Sequence, residues 1–252
     1  MAAEKQSPTP WTTGKRFYRE TGWRPASGGF VATLDGRPLT TPDGRALVLK
    51  TERLAEAIAG EWAAQADRIG PDTLPLTRLA CAVIDRVAAD RQGVVDHVTG
   101  YGSTDLLCYR VGRPDALAKR QQAAWEPLLD WAARALGARL RVTDGIAPVP
   151  QSDDALAALV RAVERLDDLR LTVLASATEV SGSLIIGLAL VLGRIDADGA
   201  AQASQLDESW QTEKWGEDID GLRRRQGLTR ELAAAAEFLE LTADRDADRP
   251  GT

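Results

Sequence analysis

The pattern of apolar and polar positions changes its period once, early in the chain. Phe30, Ala32 and Leu34 alternate with Val31, Thr33 and Asp35 ahead of an Asp35-Gly36 pair, which predicts a strand running into a hairpin turn. Pro42-Asp43-Gly44 marks a second turn, and Ala46-Leu47-Val48-Leu49 a further apolar run. From Thr51, a residue suited to capping a helix start, apolar residues recur at Leu54, Ile58 and Trp62. That is the spacing of a buried helical face. After Gly70-Pro71 the stripe Leu76, Leu79, Ala80, Val83, Ile84 and Val87 predicts a second helix, with Thr77, Arg78, Asp85 and Arg86 on its polar side. A shorter helix follows at Val94, Val95 and Val98.

Asp115 opens a helix with Leu117, Trp125, Leu128, Leu129 and Leu136 on one side and Pro127 inside it, where the ring should bend the helix or force a fresh start. An extended piece over 139–143 precedes an amphipathic helix over 153–166, and residues 169–193 are apolar nearly all round. Such a stretch predicts a central buried helix or helix pair, in which Ser183 and Gly187 are spaced to let a neighbour approach closely. A last helix spans about 221–241. The expected fold class is therefore α+β. A small N-terminal antiparallel β domain (15–50) precedes a larger, mainly α-helical domain (51–241), between tails at 1–14 and 242–252.

Composition narrows the function. The chain has 252 residues, 44% hydrophobic and 27% charged, as in an ordinary globular protein. A net charge of −6 with only the short run Arg223-Arg224-Arg225 argues against nucleic-acid binding, which needs a concentrated basic surface. Cys81 and Cys108 are too few for a disulfide framework and sit in no metal-ligand spacing. No metal or cofactor is expected. Residues 1–10 lack the apolar core of a secretory signal, so a cytoplasmic protein is expected. The run over 184–192 is too short for membrane insertion, and without a heptad seam a monomer is expected.

Enzyme signatures are largely missing: no phosphate-binding loop, no zinc-protease pair, no nucleophile elbow. His97 is the lone histidine. One scheme remains, a cysteine-dependent hydrolase or transferase with Cys108 as nucleophile, His97 as base and Asp105 to orient it. Against it stands the tendency of a lone Cys in Leu-Leu-Cys-Tyr to be a small buried hydrophobe.

Residues 206–220, LDESWQTEKWGEDID, hold two tryptophans among carboxylates. On a helix Glu208, Gln211, Thr212 and Trp215 share one stripe, while Leu206 and Trp210 form another. Gly216 is a natural stop, able to take a left-handed cap. Either this is a solvated helix with two packing tryptophans, or one face packs and the other offers a carboxylate, an amide and an indole. Trp62 reads as a core anchor.

Lys15-Arg16-Phe17-Tyr18, Leu34-Asp35-Gly36-Arg37-Pro38-Leu39, Glu61-Trp62, Pro75-Leu76-Thr77-Arg78-Leu79-Ala80, Thr104-Asp105-Leu106-Leu107-Cys108-Tyr109-Arg110, Trp125-Glu126-Pro127, and Leu206-Asp207-Glu208 through Trp215-Gly216 resemble, in order, the assembly chaperones of the F-type ATP synthase known as the ATP-twelve family. The resemblance covers about residues 15–241. It implies a non-enzymatic chaperone that binds the unassembled α subunit and prevents its aggregation until the β subunit replaces it. It also implies that Glu208 is the family's essential glutamate; Gln211 and Trp215, beside it on the same stripe, are expected to join it in contacting the client. Trp62, Trp210 and Asp105 are expected to be fold-critical. Eukaryotic members carry an import presequence that is not seen here, so the resemblance points to a bacterial member.

Overall fold

The computed structural model describes residues 14–145, 147–216 and 218–243. The two tails therefore lie outside the described residues except at their inner ends. Strands β1 (Thr21–Ala26), β2 (Gly29–Leu34) and β3 (Arg37–Pro38) form an antiparallel sheet in that order, with Thr21 opposite Leu34 and Ala26 opposite Gly29. The turn into β3 has positive φ at both Asp35 (48°) and Gly36 (76°), the geometry whose twist matches paired strands. Residues 46–49 make only isolated bridges, Thr40 with Ala46 and Phe30 with Leu49. They approach so closely that a Cβ on Gly29 would lie 2.2 Å from the Leu49 carbonyl oxygen.

Helix α1 (Glu52–Ala63) begins where Thr51 Oγ1 accepts the Leu54 N–H at 3.2 Å, and Leu54, Ile58 and Trp62 are buried. Helix α2 (Pro75–Ala82) continues into a π-helical turn at Val83–Val87. A three-stranded sheet has too little area to form a core alone, and α1 packs directly on β1 and β2. The compact unit accordingly runs on through Ala89, past the Thr51 boundary drawn from sequence, and takes in the end of the last helix from Glu240. There Thr51 Oγ1 donates to the Leu241 carbonyl at 2.6 Å and Arg53 Nη1 to that of Glu240 at 3.0 Å.

The second unit, Asp90–Leu239, is helical. It holds α3 (Arg91–Gly100), α4 (Asp115–Trp131), α5 (Asp153–Glu164), α6 (Asp168–Ser181), α7 (Leu184–Val191), α8 (Ala197–Ser204), α9 (Leu206–Trp215) and most of α10 (Ile219–Thr242). Two short parallel strands, β4 (Tyr109–Arg110) and β5 (Thr143–Asp144), pair beside them. Pro127 does not restart α4, which is one helix with the proline inside. The ring lies on the exposed side, where the carbonyl it leaves unbonded can turn to water.

The apolar stretch is a helix pair, α6 and α7, broken at Gly182 (φ 70°). Every residue of α7 is buried. Asp105 is buried at the start of α7, where Oδ1 accepts the Ser183 hydroxyl at 2.7 Å and the Leu107 N–H at 3.0 Å, and Oδ2 the Ile185 N–H at 3.0 Å. It thereby ties the loop before β4 to the helix pair, and its donors include the orphan amides of a helix start.

Candidate functional site

Helix α9 has two faces with opposite character. On the α4 side nearly every polar group is engaged. Asp207 accepts Gln121 Nε2 at 2.8 Å, and Glu213 accepts both hydrogen bonds of Arg120 Nη1 at 2.8 Å. Trp210, only 8% exposed, lies with Arg120 and Lys214 over its ring at 4.7 and 4.8 Å. The Arg120 hydrogen bond holds the Glu213 carboxyl below its usual range. This face is packing and ion pairing, and it accounts for Asp207, Trp210 and Glu213.

The other face opens on a groove of about 530 Å3 between α9 and α10, with Val180 at the end of α6 contributing to its wall. Glu208, Gln211 and Trp215 line it, and none of the three side chains makes a hydrogen bond or ion pair with another described residue. Trp215, at the end of α9, is 79% exposed, and Ile219, at the start of α10, is 70% exposed. An indole left this bare is unusual, since aromatic side chains gain most from burial.

The groove is held open by a few side-chain ties. Gln205 Nε2 donates to Thr229 Oγ1 at 3.1 Å, and Arg225 Nη1 to Thr212 Oγ1 at 2.6 Å. Asp218 Oδ1 accepts the Gly221 N–H at 2.6 Å, starting α10. Gly216 does end α9, but with φ 85° and ψ 170° rather than the left-handed cap expected. That conformation is open essentially to glycine alone.

The sequence stripe Glu208, Gln211, Thr212, Trp215 is thus one wall of a real concavity. The opposite wall, Arg224, Arg225 and Leu228 with Val180, was not identified from sequence. Its 221, 224, 225, 228 spacing is the only trace it leaves in the α10 text, and Val180 leaves none. Of the residues expected to matter for the fold, Trp62 is fully buried and Asp105 and Trp210 are buried.

The cysteine scheme does not assemble. Cys108 is 3% exposed, and burial, with the nearby Asp105 charge, pushes its thiol up to about 12, the opposite of an activated nucleophile. The His97 ring pairs through Nε2 with Glu179 at 3.0 Å on an exposed surface, and Asp105 is committed to Ser183 and the α7 amides. Glu208 and Glu213 face opposite sides of α9 and form no acid-base pair. Among the described residues no group of His, Cys, Asp and Glu is arranged to hold a metal, and no helix is long and apolar enough to cross a membrane.

Comparison with known proteins points one way. The model of the ATP12 chaperone protein family matches residues 15–133. Protein atp12, mitochondrial, of Schizosaccharomyces pombe is 25% identical over 232 residues, covering 85% of this chain and 78% of the relative. A protein of known structure from Agrobacterium tumefaciens is 37% identical with a TM-score of 0.84, covering 92% of this chain and 87% of that one. The crystal structure of Atp12 from Paracoccus denitrificans is 42% identical with a TM-score of 0.81, over 91% of this chain and 98% of that one. Identity at that level across nearly the whole of both molecules means that the chain belongs to the ATP12 chaperone protein family.

Proposed function

We propose that this chain is an assembly chaperone of the F-type ATP synthase that holds the unassembled α subunit in the α9–α10 groove until the β subunit displaces it. An unassembled subunit exposes apolar surface that its neighbours would cover, and patches of that size drive aggregation. Holding such a surface needs no turnover and no nucleotide. The holder must only bind more weakly than the true neighbour. In this reading the chain acts as a monomer, in the cytoplasm of a bacterium, without metal or cofactor.

The observation that supports it is the pairing of a bare Trp215 with an unpartnered Glu208 in one groove. An exposed indole in a concave patch is typical of the residues that dominate protein interfaces, and a carboxylate beside it offers a charged contact of the kind that sets specificity. The structural alternative for Glu208 is favourable interaction with the start of its own helix, where it stands in the first turn. It shares that turn with Asp207, which is already engaged with Gln121, and the alternative leaves Trp215 unexplained.

The test is co-expression of the α subunit with wild type, Glu208→Lys or Trp215→Ala, reading soluble α subunit and co-purification. Both side chains are exposed, so stability should stay within roughly 0.5 kcal/mol of wild type. Retention of the α subunit should be lost in both. Wild-type retention by both variants would place the client elsewhere. Unfolding of Glu208→Lys would make that residue structural.

A further inference from the structure

A second concavity in the helical unit, of about 560 Å3, lies among the π-helical turn Ala132–Leu136, α5, the start of α6 and the end of α7. Its lining is sharply divided, with three arginines, Arg161, Arg165 and Arg170, and otherwise only alanine, leucine and valine side chains. No carboxylate lines it. Glu164, between the first two arginines in sequence, is not among its lining residues. The acidic residues at the start of α6 are engaged, Asp168 with Arg91 at 2.8 Å and Asp167 with Arg170 at 3.4 Å. The side chains of Arg161 and Arg165, both exposed, make no hydrogen bond or ion pair with a described residue.

In a chain of net charge −6, two unneutralised guanidinium groups beside an apolar floor call for a reason. A cation in the last turn of a helix is stabilised by the helix dipole, and this accounts for Arg161 in α5. It serves Arg165, the C-cap of the same helix, as well, and Arg170 in the first turn of α6 is offset by Asp167, but it does not account for the absence of any carboxylate from the lining that the three arginines share. Nor does it account for the concavity, whose lip carries Leu192 at 46% exposure above a buried floor of Ala158, Leu166 and Val191.

We propose that this cleft binds an acidic segment of a partner protein, of the pattern carboxylate, aliphatic, carboxylate. Arg161 and Arg165 stand one helical turn apart, on the order of 6 Å along the axis. In an extended peptide, residues two apart project to the same side at roughly 6.6 to 6.8 Å. Two carboxylates so spaced reach the two guanidinium groups, each able to take a carboxylate through paired N–H donors. The intervening aliphatic side chain turns to the apolar wall. A nucleic-acid strand fits less well, because the lining offers no aromatic ring on which a base could stack. The site is separate from the α9–α10 groove, so the proposal does not depend on what that groove binds.

The probe is a fluorescein-labelled peptide with the core Asp-Leu-Asp-Leu-Glu, titrated with the full chain at low salt and read by fluorescence anisotropy. Saturable binding is expected, weakened roughly tenfold or more in the double variant Arg161→Ala/Arg165→Ala and unchanged in Trp215→Ala. The double variant Arg161→Lys/Arg165→Lys keeps the charges without the planar fork and should fall between. It also carries the comparison should the alanine pair melt early. Binding should fade as salt rises from about 50 to about 500 mM. Equal binding by wild type and the alanine pair would overturn the site. So would equal binding of a Lys-Leu-Lys-Leu-Lys peptide, displacement of the acidic peptide by a lower concentration of oligothymidylate, or loss of binding in Trp215→Ala.

Discussion

Burial separates tryptophans that look alike in the sequence. Trp62 is fully enclosed: its Nε1 donates to Thr77 Oγ1 at 3.2 Å and its carbonyl accepts the Tyr18 hydroxyl at 2.6 Å. The glutamate before it does a different job. Glu61 accepts the Leu76 and Thr77 N–H groups at 2.7 and 2.9 Å and the Thr77 hydroxyl at 2.6 Å, so it caps α2 from a separate helix. Thr77 Oγ1 then donates to the cap while accepting from the core indole. Trp62→Ala should cost about 3 to 5 kcal/mol, as emptying a large core site does. Glu61→Ala should cost about 1 to 2 kcal/mol, the scale of a lost helix cap. Urea midpoints should therefore rank wild type, Glu61→Ala, Trp62→Ala, and a reversed order of the two variants would mean that the cap rather than the core holds this corner. Trp215→Ala, at the bare end of α9, should sit beside wild type on the same scale.

At the scale of elements, the α6–α7 pair shows how closely two helices can approach where one lacks a side chain. A Cβ on Gly187 would lie 2.6 Å from Thr178 Oγ1 and 2.9 Å from Leu174 Cδ1. Gly187→Ala should cost about 1 to 3 kcal/mol through overpacking. Gly60→Ala on α1, where a Cβ meets nothing within 4 Å, should stabilise by up to about 1 kcal/mol through helix propensity. Thermal melts of the two variants should move in opposite directions, and a stabilised Gly187→Ala would mean the pair is looser than it looks. That close approach was legible at Gly187, as were the helices with wide apolar stripes, but Ser183, expected to share it, is instead the N-cap of α7. Helix α8 was not, because ADGAAQAS has no large apolar residue to mark a face. The division after Ala89 was hidden as well, since α1 carries its own stripe and nothing in the text says that the stripe faces a sheet. Half of the groove was legible, the α9 wall at 208, 211, 212 and 215. The other half comes from α10 and from Val180 in α6, and the meeting of segments that far apart is decided by packing rather than by any local pattern.

At the scale of the whole molecule, the ionisable groups pull stability in opposite directions over different pH windows. Burial pushes the Asp105 carboxyl from its ordinary 3.8 up to about 6, even against the donations from Ile185, Ser183 and Leu107. The folded state therefore holds that proton more tightly than the unfolded chain. Its favourable contribution is fully present below about pH 4 and is lost as pH rises through about 6. The difference is of the order of 3 kcal/mol at about 1.36 kcal/mol per pKa unit. Asp35 and Glu213 behave in the reverse way. The Glu20 and Arg19 amides hold the Asp35 carboxyl low, and the Arg120 hydrogen bond does the same for Glu213, so what they add is present at neutral pH and lost only as the solution becomes strongly acidic. Between about pH 4.5 and 7 the Asp105 slope stands apart from theirs. Urea midpoints followed by helical circular dichroism should then fall as pH rises across that interval. Asp105→Asn should flatten the slope while lowering the midpoint throughout, because its amide can satisfy the Ser183 side only by turning a donor toward the Ile185 N–H. Parallel slopes in the two proteins would mean that Asp105 titrates alike in both states, and the buried carboxylate would then be fully compensated by the amides and hydroxyl that surround it.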